Sequence, residues 1–275
     1  MKKYLIIISF GFIQYSYGQE GQEQITWTQE TISESIGWKT LHSDVYFDSW
    51  QNINVLIFES GNEYLKFSFI SDTIRRKTSE MATEARAAFA LNGSFFNMKT
   101  AEPACFLKIN DTILSKTANE IKRLDDAALV ISKTRNLEIM LKPENGWQSL
   151  GDTYPDVMVT GPLLVWDGKM NTLEDNTFNT TRHPRTGVCI TKTDQVIFFT
   201  ADGRHEQAVG LSTSEFAEFM LSMECKQGIN LDGGGSTTLW SARHGILNRP
   251  SDNKLFDNHG EREVANIVVV FLEQN

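Results

Sequence analysis

The residues best placed to do chemistry lie in Gly228-Ile229-Asn230-Leu231-Asp232-Gly233-Gly234-Gly235-Ser236-Thr237-Thr238. A short apolar strand ends there in a carboxylate, and three glycines and three hydroxyls follow. Three glycines in a row weaken a strand and carry a large ordering entropy, so packing alone does not call for them. They let bare backbone approach another group, and successive N–H groups in such a run can converge on an anion or a sugar oxygen. Asp232, held at the end of a rigid strand beside that concavity, stands where a catalytic carboxylate belongs. The same order also suits a Gly-rich turn in which Asp232 satisfies turn amides. A phosphate-binding P-loop is excluded, because the Lys of that pattern is missing.

Other strand ends carry polar groups too. Ala88-Phe89-Ala90-Leu91 stops at Asn92-Gly93, which puts an amide side chain and a permissive backbone at its tip. Arg182-His183-Pro184-Arg185 precedes the strand Val188–Thr191, and Val196–Thr200 runs into Asp202-Gly203-Arg204. Arginines at strand mouths suit bidentate capture of a phosphate or carboxylate. His183 is a candidate general acid, and Glu102 and Glu261 are reserve acids in loops.

The elements that must position these groups are mostly short strands. Between residues 25 and 70, Ile25–Thr28, Val45-Tyr46-Phe47, Ile53–Phe58 and Tyr64–Phe69 are rich in β-branched and aromatic residues. Further strands are expected at Cys105–Ile109, Ala127–Ile131, Leu137–Leu141 and Val264–Phe271. Residues 157–166 read as a strand pair broken by Gly161-Pro162, and residues 171–181 as an exposed loop. A helix is expected over Thr78–Arg86, with Thr78 or Ser79 as cap. A second starts at the capping box Ser212-Thr213-Ser214-Glu215, buries Phe216, Phe219, Met220 and Met223, and stops at Gly228. The fold expected is α+β: a largely antiparallel or mixed β-sheet core with a few packed helices in a single domain.

With 275 residues, 40% hydrophobic, the chain is long enough for a sizeable core. A net charge of -9 argues against sequence-independent nucleic-acid binding. Lys2 and Lys3, the apolar run Tyr4–Ile13 and the small residues Ser16 and Gly18 read as a secretory signal over residues 1–18. The mature protein is then exported (periplasmic, cell-surface or secreted), with no membrane span after signal removal. Cys105, Cys189 and Cys225 allow one disulfide or none, and lack metal-site spacing. No cofactor and no essential metal are expected.

Taken in order, Asn92-Gly93-Ser94-Phe95-Phe96, Arg182-His183-Pro184-Arg185-Thr186, Asp202-Gly203-Arg204, Gly210-Leu211-Ser212, Asn230–Thr238 and Arg262-Glu263-Val264-Ala265-Asn266 resemble the phosphodiester glycosidase family. The resemblance covers residues 75–275, leaving 19–74 as an N-terminal β-rich extension packed on the main domain. It implies hydrolysis of a sugar–phosphate diester at the glycosidic carbon, with a carbohydrate or phosphoglycan as substrate. That chemistry needs a carboxylate for the oxocarbenium-like transition state and electrostatic support for the departing phosphate. Asp232 is then the principal carboxylate, and Asp202 a second acid/base or a sugar-hydroxyl ligand. Arg185 and Arg204, with Arg182, clamp the phosphate. Asn92, Gly93 and Asn230 orient the sugar. The Gly233, Gly234 and Gly235 amides complete the anion pocket with Ser236 and Thr237. Ser236 as a nucleophile at phosphorus lacks the elbow sequence such a serine needs. The non-enzyme alternative is an exported glycan-binding or cell-surface protein of the same fold.

Overall fold

The computed structural model describes residues 27–33, 35–116, 124–151 and 153–273. The candidate signal over residues 1–18 lies outside them, as do Ile25 and Thr26 of the first expected strand. Every strand pair among the described residues is antiparallel, and helices are few.

Three sheets make up the fold. The largest has eight strands, in the order Thr28–Ser33, Ile36–Ser43, Gln51–Phe58, Val196–Ala201, Arg185–Thr191, Cys225–Asn230, Leu163–Trp166 and Lys169–Met170. A five-stranded sheet runs Thr112–Ser115, Leu107–Ile109, Asp156–Thr160, Ala127–Ile131, Leu137–Leu141. The other runs Gly245–Ile246, Leu239–Ser241, Phe89–Asn92, Glu263–Leu272, Leu65–Lys77. Their inner faces share one apolar core: Leu56, Phe58 and Phe198 from the first, Leu107, Leu129 and Met158 from the second, Phe67, Leu91 and Val268 from the third. Phe58 sits at its centre, edge-on to Phe67, Phe89 and Phe198. Rings packed this way resist shear between sheets, because each edge finds a partner's face.

The outer face of the large sheet is covered by the helix Thr213–Ser222, whose Phe216, Phe219 and Met220 are buried there. Its start is the expected capping box: the Ser212 hydroxyl accepts from the Glu215 amide and the Glu215 carboxylate accepts from the Ser212 amide. The helix ends at Ser222, short of Gly228, which lies inside the next strand. Gly228 serves packing rather than helix termination. A Cβ there would stand 2.7 Å from Met220 Sδ, and one on Gly187 would stand 2.8 Å from Phe216. Two glycines on neighbouring strands thus make the seat for this helix.

Three other expectations change. Val45-Tyr46-Phe47 is not a strand: Tyr46–Asp48 form a 3-10 turn, and Tyr46 packs edge-on against Phe219, 5.3 Å away, to cover the helix. The loop over residues 171–181 contains a short helix, Thr177–Thr180, capped by Asn176. Residues before 75 do not merely pack on the rest: Gln51–Phe58 pairs with Val196–Ala201, and Leu65–Lys77 with Glu263–Leu272, so the early strands extend the edges of sheets that the later strands complete.

Cys189 and Cys225 form a buried disulfide between adjacent strands, 36 residues apart in sequence. Cys105 is buried and its thiol donates to the Leu124 carbonyl. Closing a loop of that size restricts the unfolded chain by about 3–4 kcal/mol. The double variant Cys189→Ala/Cys225→Ala should lower unfolding stability by about that amount in urea denaturation, and reductant should then have no further effect. Unchanged stability would show that the cross-link contributes nothing beyond the surrounding strand pairing.

Candidate active site

Strands of the large sheet and of the Phe89–Asn92 sheet end together, and Asp232 stands where they meet. Asn92 ties the ends to one another. Its amide nitrogen donates to the Asp232 carbonyl at 2.6 Å, and its oxygen accepts from Thr186 Oγ1 at 2.9 Å and from the Thr238 amide at 3.0 Å. The Asp232 amide donates to the Gly93 carbonyl at 3.1 Å. Gly93 has no room for a side chain, because a Cβ would stand 2.8 Å from the Asn266 carbonyl oxygen. Asn230 donates inward to the carbonyls of Gly161 and Leu231. Asn92 and Asn230 are buried, and these bonds tie them to the end of the Asp232 strand, while Asn230 Oδ1 meets no hydrogen-bond partner among the described residues.

Each glycine of the triplet admits a different neighbour. A Cβ on Gly233 would stand 2.6 Å from the Pro184 carbonyl. Gly234 has φ +61, and a Cβ there would stand 2.8 Å from Arg204 Nη2. The backbone at Gly235 lies against the Asp252–Arg262 ion pair. Along this run, the Gly234 amide donates to the Pro184 carbonyl, Ser236 to Gly233 and Thr237 to Gly234. The triplet therefore gathers three loops around Asp232, with the Gly234 amide bound to Pro184 and the Gly233 amide facing the Asp232 carboxylate. The Thr237 hydroxyl is buried, 3.2 Å from Thr186 Oγ1.

Asp232 itself is half-buried, reachable from solvent yet surrounded by protein. Burial pushes its carboxyl up to about 6, against the opposing influence of the Ser236 hydroxyl, Arg262, the Gly233 amide and Arg204. The Ser236 hydroxyl faces the carboxylate but falls short of regular hydrogen-bond geometry. Arg204 is exposed, and Arg262 is half-buried with a two-point bond to Asp252 at 2.7 and 3.0 Å. Both act on the Asp232 charge.

The remaining candidates are arranged differently. The Asp202 carboxylate is 1% exposed and accepts from Asn52 Nδ2, Asn248 Nδ2 and the Arg249 amide at 2.6–2.9 Å. Burial raises its pKa, with those three donors opposing. Arg185 is 2% exposed, donates to the carbonyls of Leu211, Phe178 and Thr181, and lies over the Phe178 ring. Its pKa is lowered to about 10 by burial. Arg182 is bound to Glu215, Ser49 Oγ and the Phe47 carbonyl. These two arginines are thus committed to protein partners. His183 lies nearby, and burial with Arg185 and Arg204 holds its pKa below the usual histidine range, which works against a general-acid role. Glu261 accepts from the Ser79 amide and hydroxyl, and Glu102 from Thr100.

Arg262 was not among the sequence candidates, although its motif was; nothing local distinguishes it from a surface arginine before the chain is folded. Among the described residues, no group of three or more His, Cys, Asp or Glu side chains is placed to hold a metal ion. A cleft of about 830 Å³ opens at the opposite end of the strands, lined by Phe58, Leu65, Ile139 and Val196, and holds none of the residues above.

The sequence profile of a family described as phosphodiester glycosidase matches residues 85–271. The chain is 30% identical over 210 residues to the Mus musculus N-acetylglucosamine-1-phosphodiester alpha-N-acetylglucosaminidase, covering 71% of this chain and 40% of the relative. The Homo sapiens protein of the same name is 28% identical over 212 residues, with the same coverage. The chain thus spans about two fifths of the length of these relatives. Among solved structures, the zebrafish catalytic domain of that name, auto-inhibited by its pro-peptide, superposes with a TM-score of 0.71 at 17% identity, covering 91% of this chain and 89% of that one. A hypothetical protein from Synechocystis gives 0.68 at 15% identity, covering 90% of this chain and 64% of that one. No described helix is long and apolar enough to cross a membrane.

The raised pKa of Asp232 has a consequence for stability. The folded state holds that proton more tightly than the unfolded chain, whose carboxyl titrates near its ordinary value of about 4. The contribution to stability is therefore full below about pH 4 and is lost as pH rises through about 6. Asp232→Asn should match the wild type at pH 4 and exceed it at pH 7 by roughly 2 kcal/mol, less than the full shift because the group is half-buried. Urea denaturation at the two pH values measures this. No gain at pH 7 would mean that Arg204 and Arg262 fully offset the burial.

Proposed function

The chain belongs to the phosphodiester glycosidase family, and from that premise we propose that it hydrolyses a sugar 1-phosphodiester, or a related phosphoglycan, at the glycosidic C1–O bond. In this reading it acts outside the cytoplasm, as one α+β domain that carries the whole site. The observation that carries the proposal is the half-buried Asp232 carboxylate at a fixed strand end, with Arg204 and Arg262 beside it.

Breaking C1–O sends the bonding electron pair to the bridging oxygen, so negative charge grows on the phosphate while positive charge grows on the sugar carbon. In this reading the site answers both charges. Ionised Asp232 faces the carbon, and Arg204 and Arg262 face the departing phosphate. Water supplies the oxygen that ends on C1 and releases its proton. Because the phosphate leaves readily, preorganised positive charge takes over much of the work of a general acid.

The other polar residues then serve position. Asp202 pins Asn52, Asn248 and the Arg249 amide, fixing the loop that leads to Asp252 and Arg262. Arg185 holds the Phe178–Thr181 turn and the start of the Thr213–Ser222 helix, and Arg182 joins that helix to the Phe47 turn. We assign the phosphate clamp to Arg204 and Arg262, and structural roles to Arg182, Arg185 and Asp202.

Hydrolysis of a panel of sugar 1-phosphodiesters by the wild type and variants tests this. Asp232→Asn should lower kcat by about 10³-fold or more while retaining the fold. With the wild type, kcat/KM should rise through an acid limb near pH 6 as Asp232 ionises. Solvent ¹⁸O should appear in the released sugar; label in the phosphate would place attack at phosphorus and overturn the mechanism. Asp202→Asn should lose stability together with activity, whereas full stability with lost activity would restore a catalytic role to Asp202.

A further inference from the structure

One buried amide near Asp232 is used by neither the proposed reaction nor the apolar core. Asn266 is 0% exposed and lies in the strand Glu263–Leu272, where the apolar residues Ile267–Val270 follow it. Its Oδ1 accepts from the Ser94 amide at 2.7 Å and from the Ser94 hydroxyl at 3.3 Å. Its backbone carbonyl accepts from the Gly93 amide at 2.9 Å. Its Nδ2 meets no hydrogen-bond partner among the described residues. A buried donor left idle costs stability that an apolar residue of the same shape would spare, so the presence of an amide here asks for another reason.

That reason lies in what Gly93 carries. The Gly93 carbonyl accepts from the Asp232 amide at 3.1 Å, so Gly93 alone separates Asn266 from the Asp232 backbone. A Cβ on Gly93 would collide with both Asn266 Oδ1 and the Asn266 carbonyl, which shows how closely the two segments meet. On the other side of the strand, regular pairing breaks at the same place. The register jumps from Val264 opposite Arg76 to Asn266 opposite Ser71, and the Ser71 hydroxyl donates to the Ala265 carbonyl at 3.1 Å. Interruptions of this kind bend a strand and re-aim a side chain, and they recur next to active sites.

The same strand starts one residue after Arg262. Both sides of the site therefore hang from one element: Arg262 at its mouth, and Asp232 four residues further in through Asn266 and Gly93. We propose that Asn266 is a positioning residue for Asp232, which clamps Gly93 and Ser94 to this strand and so sets where the carboxylate stands relative to Arg262. The assignment rests on the hydrolase reading above for its effect on rate. Its geometry rests on the hydrogen bonds alone.

The test compares the wild type with Asn266→Ala, which frees Gly93 and Ser94 from the side-chain clamp, and with Val269→Ala. The latter opens a cavity in the same strand away from the clamp and controls for lost stability. On a cleaved sugar 1-phosphodiester, Asn266→Ala should lower kcat by roughly 100-fold, the scale of an ångström's misplacement. Its KM should stay within about 3-fold, because Arg262 keeps its bond to Asp252. The acid limb of kcat/KM should move below pH 6, since burial is the largest influence on the Asp232 carboxyl and a loosened strand end is less buried. Val269→Ala should lose stability with kcat within about 2-fold and the limb in place. Asn266→Ser, which is smaller yet still offers an acceptor, should fall between the wild type and Asn266→Ala, and it carries the same test if the alanine variant does not fold. A limb that stays in place in the Asn266 variants overturns the assignment, whatever happens to kcat.

Carboxyl titration of Asp232 by ¹³C NMR separates this outcome from failure of the hydrolase reading. If no diester is cleaved, yet the Asp232 midpoint drops from about 6 in Asn266→Ala and not in Val269→Ala, the positioning role stands and the hydrolase reading falls. If diesters are cleaved and the midpoint is the same in all three proteins, the hydrolase reading stands and the positioning role falls.

Discussion

The glycine triplet after Asp232 constrains everything around it. Three loops, carrying Pro184, Arg204 and Arg262, reach the same short stretch of backbone, and each reaches it at a position where a Cβ would collide. Glycine here costs stability as a flexible unfolded residue, and only close approach justifies the cost. The approach also fixes the electrostatics. Backbone contact sets how near Arg204 and Arg262 can come to the carboxylate, and so how far they offset its burial. Loop position, charge and access to Asp232 are thus consequences of one local choice of residue.

Arg182, Arg185, Arg204 and Arg262 lie at this end of the fold, and burial sets them in different surroundings. Arg185 is buried deeply enough for its own pKa to fall, and three backbone carbonyls with an aromatic face take the place of solvent. A guanidinium so engaged has few donors left for a ligand and would have to break existing bonds to use the others. Arg182 is held by the Glu215 carboxylate that also caps the helix, which couples helix start, turn and strand mouth through one group. Arg204 is exposed, and Arg262 is braced by a single carboxylate on one side. Free donors and fixed position together are what anion capture asks for.

Much of this was readable before folding, and the failures have identifiable causes. Ala127–Ile131 and Leu137–Leu141 are strands at the limits expected for them, and Ser212 with Glu215 forms its capping box because that motif is satisfied locally. Tyr46 reads as strand by propensity but is drawn into a turn by a long-range contact with Phe219. Gly228 looks like a helix terminator, yet its reason is Met220 pressing on the next strand. The Asp-Gly-Gly-Gly signature singles out the stretch around which three loops gather, while the different surroundings of the arginines are invisible there, since Arg185 and Arg204 differ only in what the folded chain puts around them. Arg262 sits far along the sequence from Asp232 and becomes its neighbour only when Glu263–Leu272 pairs beside Phe89–Asn92.

Asp202 and Asp232 are both acted on by burial, yet the fold holds them in different ways. Both have pKa values raised by desolvation. Asp202 meets three donors in direct contact, its lone pairs are used, and moving it would release Asn52, Asn248 and the Arg249 amide together. Asp232 is held through its backbone, by Asn92 and Gly93, so its side chain carries little of the structure. Its charge is answered by arginines that a phosphate could also engage, and by a serine hydroxyl in imperfect geometry. A group fixed by its main chain and left incompletely solvated at its carboxylate can change partners during a reaction without loosening the fold. The convergence of strand ends at Asp232 thus anchors the residue without using its carboxylate.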